Sequence, residues 1–166
     1  MCGIFALLNT KFTDRKLVEK GFEKGRDRGP EFSKLQHLSD YNLYLGFHRL
    51  AINGVADEKS NQPFFINGVY LICNGEIYNH KQLFKLLNIT PKSKSDCEVI
   101  IHLYKIFGIQ QTLQILDGVF AFVLFDTDTN QMFVARDTYG VRPLFISSFK
   151  KIERTKKSAL NIIFTF

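Results

Sequence analysis

At 166 residues, with 45% hydrophobic and 23% charged side chains, the chain has the size and make-up of one compact globular domain, which excludes a disordered or fibrous polymer. The net charge of +6 invites a nucleic-acid reading, but residues 150–157 (KKIERTKK) hold five basic residues against one acidic, and the other Lys and Arg are scattered rather than banded with stacking aromatics on one face. No 18-residue apolar run spans a membrane, and Cys2, Cys73 and Cys97 have neither metal-ligand spacing nor the even count of a disulfide framework.

The chain opens on an uninterrupted apolar run, Cys2–Leu8, which reads as a buried strand. It lacks the basic region of a signal peptide, and position 2 is Cys rather than the Gly of a myristoylation site. Location in the cytosol, with thiols reduced, is the expectation. Residues 14–26 read as a helix capped by Thr13 or Asp14, with Leu17, Val18 and Phe22 as its apolar stripe. Arg28-Gly29-Pro30 breaks the chain. Leu43–Leu50 is the next strand, and Gln62–Ile66 and Val69–Cys73 flank Asn67-Gly68, a strong hairpin signal.

A short helix is expected over His80–Leu87, with Leu83, Phe84 and Leu87 facing inward. Ser95 and Glu98 stand at capping-box spacing before a helix over Val99–Phe107, Gly108 marks its end, and another helix covers about 109–116. Val119–Phe125 and Gln131–Ala135 form a second hairpin around 126–130, and Leu144–Ser147 a further strand. Hairpins mixed with amphipathic helices, without repeat or linker, predict a layered α+β domain.

Several residues carry chemistry. Asp126, Asp128 and Asn130 mimic the opening of a calcium loop, but Gln131 stands where the sharp turn needs Gly and Asp137 where the loop needs Glu, so a hairpin turn is expected and no metal. Cys2, once Met1 is removed, would bear a thiol beside a free α-amine whose ordinary pKa of about 7.7–8.0 suits it as a base near neutrality; taken alone, it reads first as a small hydrophobe heading a buried strand. Asn74-Gly75 reads as a turn on its own, or as a carboxamide beside a glycine N–H offering two donors to a developing oxyanion. Arg49, behind the strand Leu43–His48, is either a surface ion-pair partner or a fork for a carboxylate. Asp96, at the start of the third helix, either complements the helix dipole or meets a substrate ammonium.

In this order and spacing, MCGIFA (1–6), RGPE (28–31), HRLAI (48–52), QPF (62–64), NGEIYNH (74–80), SDCEVI (95–100), LDGVFAFVLFD (116–126) and ARDTYGVRPLF (135–145) resemble the class II glutamine amidotransferase domain, most closely the N-terminal glutaminase half of glutamine-hydrolysing asparagine synthetase. The resemblance covers nearly all of residues 1–145. It implies an α+β fold of N-terminal nucleophile hydrolase type, a four-layer αββα sandwich. It implies Cys2 as nucleophile with its own amine as base, Asn74 and Gly75 as oxyanion donors, and Arg49 on the α-carboxylate of L-glutamine. Asp96, helped by Glu76, would hold the α-ammonium, while Leu50 and Ile52 line the pocket through backbone groups. Glutamine hydrolysis through a γ-glutamyl thioester would need no metal or organic cofactor. ATP and Mg would belong to a synthetase domain with an SGGxDS loop, which these 166 residues do not contain.

The sequence departs from the family twice. Asp27 stands where a His often precedes Arg-Gly-Pro, and after Phe145 the usual further strands give way to SSFKKIERTKKSALNIIFTF. Residues 1–149 are therefore expected to form the glutaminase domain, with 150–166 a divergent basic and apolar tail serving as a substitute strand or left as a foreign end. The expected activity is glutamine hydrolysis, alone or feeding ammonia to a separate ATP-dependent synthetase chain. The alternative is a catalytically weak glutamine-binding or regulatory remnant. A nucleic-acid module is disfavoured; it predicts salt-sensitive binding lost with residues 150–166.

Overall fold

The computed structural model describes residues 2–10, 13–52, 57–151 and 159–165. Met1 and residues 152–158 lie outside the described residues, and with them the expected removal of Met1 and much of the basic run. In chain order the elements are β1 (Gly3–Leu8), α1 (Arg15–Glu23), β2 (Phe32–Leu38), β3 (Leu43–Arg49), β4 (Phe64–Ile66), β5 (Val69–Ile77), α2 (His80–Leu87), α3 (Val99–Ile115), β6 (Gly118–Asp126), β7 (Gln131–Arg136), β8 (Phe145–Lys151) and β9 (Ala159–Thr165). They divide into two compact units, Met1–Leu50 with Leu144–Phe166, and Ala51–Pro143.

The first unit holds a five-stranded sheet of order β2-β3-β1-β9-β8, antiparallel throughout. β9 pairs with β1 on one side and β8 on the other. The Asp14 carboxylate accepts the Lys16 N–H at 2.9 Å to start α1, supplying one of the donors a helix N-terminus leaves unpaired. Val18 and Phe22, one helical turn apart, pack on Phe5, Leu7 and Tyr44. Leu17, expected in that stripe, is 65% exposed, because a nine-residue helix turns only a narrow face inward. Phe22 lies so close to β3 that a methyl group at Gly46 would stand 2.6 Å from its ring. The helix stops at Glu23, short of the expected residue 26, and Arg26–Arg28 form a single 3₁₀ turn.

The second unit holds a four-stranded antiparallel sheet of order β4-β5-β6-β7. Asn67 and Gly68 both take positive φ, 50° and 77°, as a two-residue hairpin with the right twist requires. One sheet face meets the helices in a core that includes Leu71, Cys73, Phe122 and Leu124 against Leu83, Phe84, Ile100 and Leu103. Each such side chain contributes about 1.5–3 kcal/mol by leaving water. Gly108, at φ 74° and ψ 173°, breaks α3 at the expected boundary between two helical stretches.

The strand β5 does not end at Cys73. Asn74 to Ile77 continue it, paired residue by residue with Ala121 to Gly118 of β6. Two glycines permit the close approach: a methyl at Gly75 would lie 2.4 Å from the Val119 carbonyl oxygen, and one at Gly118 2.2 Å from that of Glu76. Asn-Gly here is strand chemistry fixed by a neighbour, not turn chemistry. Gly118→Ala is accordingly expected to destabilise the protein by about 1–3 kcal/mol by overpacking, read from urea unfolding at neutral pH.

Candidate active site

Within the first unit, the end of β3 and the start of β1 bring Cys2, Arg49 and Leu50 together. Gly3 pairs with His48, and the half-buried Cys2 thiol lies 3.6 Å from the Leu50 carbonyl oxygen, to which it donates. The Cys2 carbonyl in turn accepts from Arg28 Nε at 3.2 Å. Arg28 therefore reaches the backbone of the candidate nucleophile, a role its motif alone did not disclose. Its Nη2 is buried without a hydrogen-bond partner among the described residues.

Arg49 is buried and closes the strand. Pro30 forms a bridge with it, and the Glu31 N–H donates to its carbonyl at 3.2 Å. Gly29 makes that apposition possible, since a methyl there would stand 2.4 Å from the His48 carbonyl. His48 is buried and stacks on Phe22 at 3.9 Å. Its Nε2 lies 2.9 Å from the Phe22 carbonyl and its Nδ1 2.7 Å from Ser33 Oγ. Nε2 must donate to a carbonyl, so the Ser33 hydroxyl serves the other nitrogen.

Within the second unit, Asn74, Gly75 and Glu76 follow one another on β5. Asn74 is 2% exposed and its Nδ2 has no hydrogen-bond partner among the described residues. A buried amide donor left unused is costly, typically about 1–3 kcal/mol. Functional sites are where such costs are retained. Asp96 is buried, and its Oδ2 accepts the Ile77 N–H at 2.6 Å, which ties it to the same strand. Glu76 is exposed, and Ile52, also in this unit, is 71% exposed.

The segment carrying Asp96 is held by other carboxylates. Ser95 caps the 3₁₀ turn Asp96–Glu98 by accepting from Cys97 N–H at 3.3 Å. The expected capping box does not form, because the fully buried Glu98 turns away to the Lys92 and Ser93 N–H groups, the Ser93 hydroxyl and His102 Nε2. Beyond β5, the Asn79 carboxamide donates to the Ile115 carbonyl at 2.9 Å and accepts the Asp117 N–H at 3.2 Å. Asp137 receives four backbone N–H groups, from Phe120, Tyr139, Val141 and Arg142, and so pins the DTYGVR loop to β6. Asp126 accepts from the Tyr104 hydroxyl and from the Asp128 and Thr129 N–H groups, the arrangement of a hairpin turn.

Burial by itself raises the pKa of Glu98, Asp126 and Asp137, but their hydrogen bonds outweigh it and hold all three below the usual carboxylate range; the leading donors are His102 for Glu98, Tyr104 for Asp126 and the Arg142 N–H for Asp137. The unfolded chain then takes up protons first as pH falls. Their stabilisation is complete above an ordinary carboxyl pKa of about 4 and is lost as pH drops through the lower folded values. Unfolding free energy should fall steeply below about pH 4. Asp137→Asn is expected to cost about 1–3 kcal/mol at neutral pH and to flatten that acid slope, read from urea unfolding at several pH values.

The profile of the glutamine amidotransferase domain family matches residues 1–163. The chain belongs to this family.

Among curated proteins, this amidotransferase domain is 44% identical over 150 residues to the glutamine-hydrolyzing asparagine synthetase of Pongo abelii, covering 87% of the chain and 26% of that protein. The human protein of that name is 43% identical over the same coverage, and that of Gallus gallus 43% over 151 residues. The chain spans about a quarter of the length of these relatives. The α+β content and two antiparallel sheets agree with the N-terminal nucleophile hydrolase fold of the family. The family profile reaches into β9, as far as residue 163. Among the described residues of this amidotransferase domain, no helix is long and apolar enough to cross a membrane.

Proposed function

We propose that the chain hydrolyses the side-chain amide of L-glutamine to glutamate and ammonia, as the glutaminase part of an asparagine synthetase-like system in the cytoplasm. Asn74 carries the reading: its buried carboxamide nitrogen lacks a partner among the described residues in a chain of a glutamine amidotransferase family.

Cys2, with Met1 removed, is the nucleophile, and its α-amine takes the thiol proton. Sulfur attacks the amide carbon, and the oxyanion accepts hydrogen bonds from Asn74 Nδ2 and the Gly75 N–H. Collapse breaks the carbon–nitrogen bond, the amine returns its proton to the leaving ammonia, and a γ-glutamyl thioester remains on Cys2. Water attacks the thioester to give glutamate and restore the thiol. An amide is a poor electrophile, so a sulfur nucleophile and preorganised donors address the two costs that matter. Arg49 holds the α-carboxylate, Asp96 with Glu76 holds the α-ammonium, and Leu50 and Ile52 line the pocket. Clamping both ends of the amino-acid head fixes the reacting carbon and rejects asparagine, whose amide falls one methylene short. The half-reaction consumes only glutamine and water, so it requires no metal or organic cofactor. The ammonia passes to an ATP-dependent synthetase.

Glutamate release by the purified chain, with Met1 removal verified by mass, tests the proposal. Steady turnover of glutamine and none of asparagine is the expected result. A folded chain with Cys2 at its N-terminus and no turnover would overturn it in favour of a glutamine-binding remnant.

A further inference from the structure

Gln62 is buried, and its carboxamide makes two hydrogen bonds to one residue. Gln62 Oε1 accepts the Cys73 N–H at 2.6 Å, and Nε2 donates to the Cys73 carbonyl at 3.3 Å. Cys73 is the residue immediately before Asn74 on β5.

The hairpin register explains the contact. β4 pairs with β5 through Ile66↔Val69, Phe65↔Tyr70 and Phe64↔Leu71. Carried two residues further, the same register sets position 62 opposite Cys73. Hydrogen-bonded pairs recur at every second residue of an antiparallel ladder, so 62 and 73 would form the next such pair after 64 and 71. β4 begins only at Phe64, so the backbone of residue 62 lies outside the ladder. The Gln62 side chain supplies the donor and acceptor that a backbone would have supplied. A carboxamide is the one uncharged side-chain group with both functions at peptide spacing.

On its other edge β5 is held at Cys73 by Phe122 and at Asn74 by Ala121 of β6. Without Gln62, β5 at Cys73 would be paired on that side alone; further along the strand the Gly75 carbonyl accepts from the Cys97 thiol at 4.0 Å and the Ile77 N–H donates to Asp96 Oδ2. Among the described residues the Asn74 nitrogen has no hydrogen bond of its own to hold it, so the position of its carboxamide depends on the backbone beneath it. We infer that Gln62 is a positioning residue for the reaction: by completing the ladder at Cys73 it fixes the strand from which Asn74 presents its amide donor. The inference rests on the oxyanion role proposed for Asn74.

The test compares parent, Gln62→Leu, Gln62→Glu, Asn74→Ala and the Gln62→Leu/Asn74→Ala double variant of the full chain, each verified as folded by circular dichroism. Gln62→Leu is expected to lower kcat for glutamine on the order of tenfold to a hundredfold, as small displacements of a reacting geometry do, with KM nearly unchanged. In the Asn74→Ala background the same change should cost nothing further. Gln62→Glu keeps the acceptor for the Cys73 N–H but loses the donor, so an intermediate loss is expected; it also decides the matter if Gln62→Leu does not fold. NMR offers a readout independent of turnover: the Asn74 side-chain amide resonances, assigned by their absence in Asn74→Ala, should move in the Gln62 variants. Unchanged kcat in a folded Gln62 variant, losses that multiply in the double variant, or unmoved Asn74 resonances would each overturn the inference. Undiminished kcat in Asn74→Ala alone would instead remove the oxyanion reading beneath it.

Discussion

Cys2→Ala is expected to release no measurable glutamate, a loss on the order of 10⁴–10⁶ in kcat, the scale on which removing a nucleophile falls. The fold should hardly notice. The thiol is only half-buried, its bond to the Leu50 carbonyl is a weak sulfur one at 3.6 Å, and the backbone of residue 2 stays anchored by Arg28. Unfolding free energies of parent and variant should agree within about 0.5 kcal/mol, as for changes that neither open a core cavity nor strand a buried polar group. A second variant separates thiol from amine. A chain that retains Met1 keeps the sulfur but turns the Cys2 amine into a peptide nitrogen, which cannot accept a proton. It should be as inactive as the alanine variant, with retention verified by mass. Full activity with Met1 in place would falsify the N-terminal-amine mechanism while leaving cysteine catalysis standing.

Asn74→Ala should lower kcat about 10²–10³-fold, some 2.7–4 kcal/mol, with KM for glutamine little changed, because a donor aimed at an oxyanion is used fully only in the transition state. Its stability effect should have the opposite sign from that of most buried polar deletions. Asn74 Nδ2 makes no hydrogen bond among the described residues, so removing it strands no partner there and relieves the cost of an unsatisfied buried donor. Lost activity with equal or higher stability in urea is the expected signature. A loss of both together would mark Asn74 as a structural residue.

Much of this molecule is legible in its sequence, and the misses share a cause. The β4–β5 hairpin declares itself because Asn67-Gly68 is local chemistry. The break at Gly108 does so for the same reason. β2 did not, because its side chains alternate poorly between buried and exposed; the strand exists through its pairing with β3 along all seven residues. Asn74-Gly75 reads as a turn until β6 is laid beside it. Arg28 and Gln62 stand in motifs quoted for the family resemblance, yet their bonds to Cys2 and Cys73 cross 26 and 11 residues, and no local pattern announces a bond of that reach. The roles suggested for Cys2, Arg49 and Asp96 came from family likeness, because each has an ordinary structural explanation when taken singly.

The five-stranded sheet also sets a timetable for the nascent chain. Phe5–Leu8 of β1 pair with Ile162–Thr165 of β9, so they must wait for residues 162–165 to leave the ribosome. At about 5–20 residues per second that wait is roughly 8–30 s. Ala51–Pro143 is continuous in sequence and forms its own unit, so it can finish first. Meanwhile β1, apolar along most of its length, has β3 on one flank and an open ladder on the other. An unpaired apolar edge of that kind templates association between chains, which makes the interval before β9 arrives the one in which a holdase chaperone has most to protect.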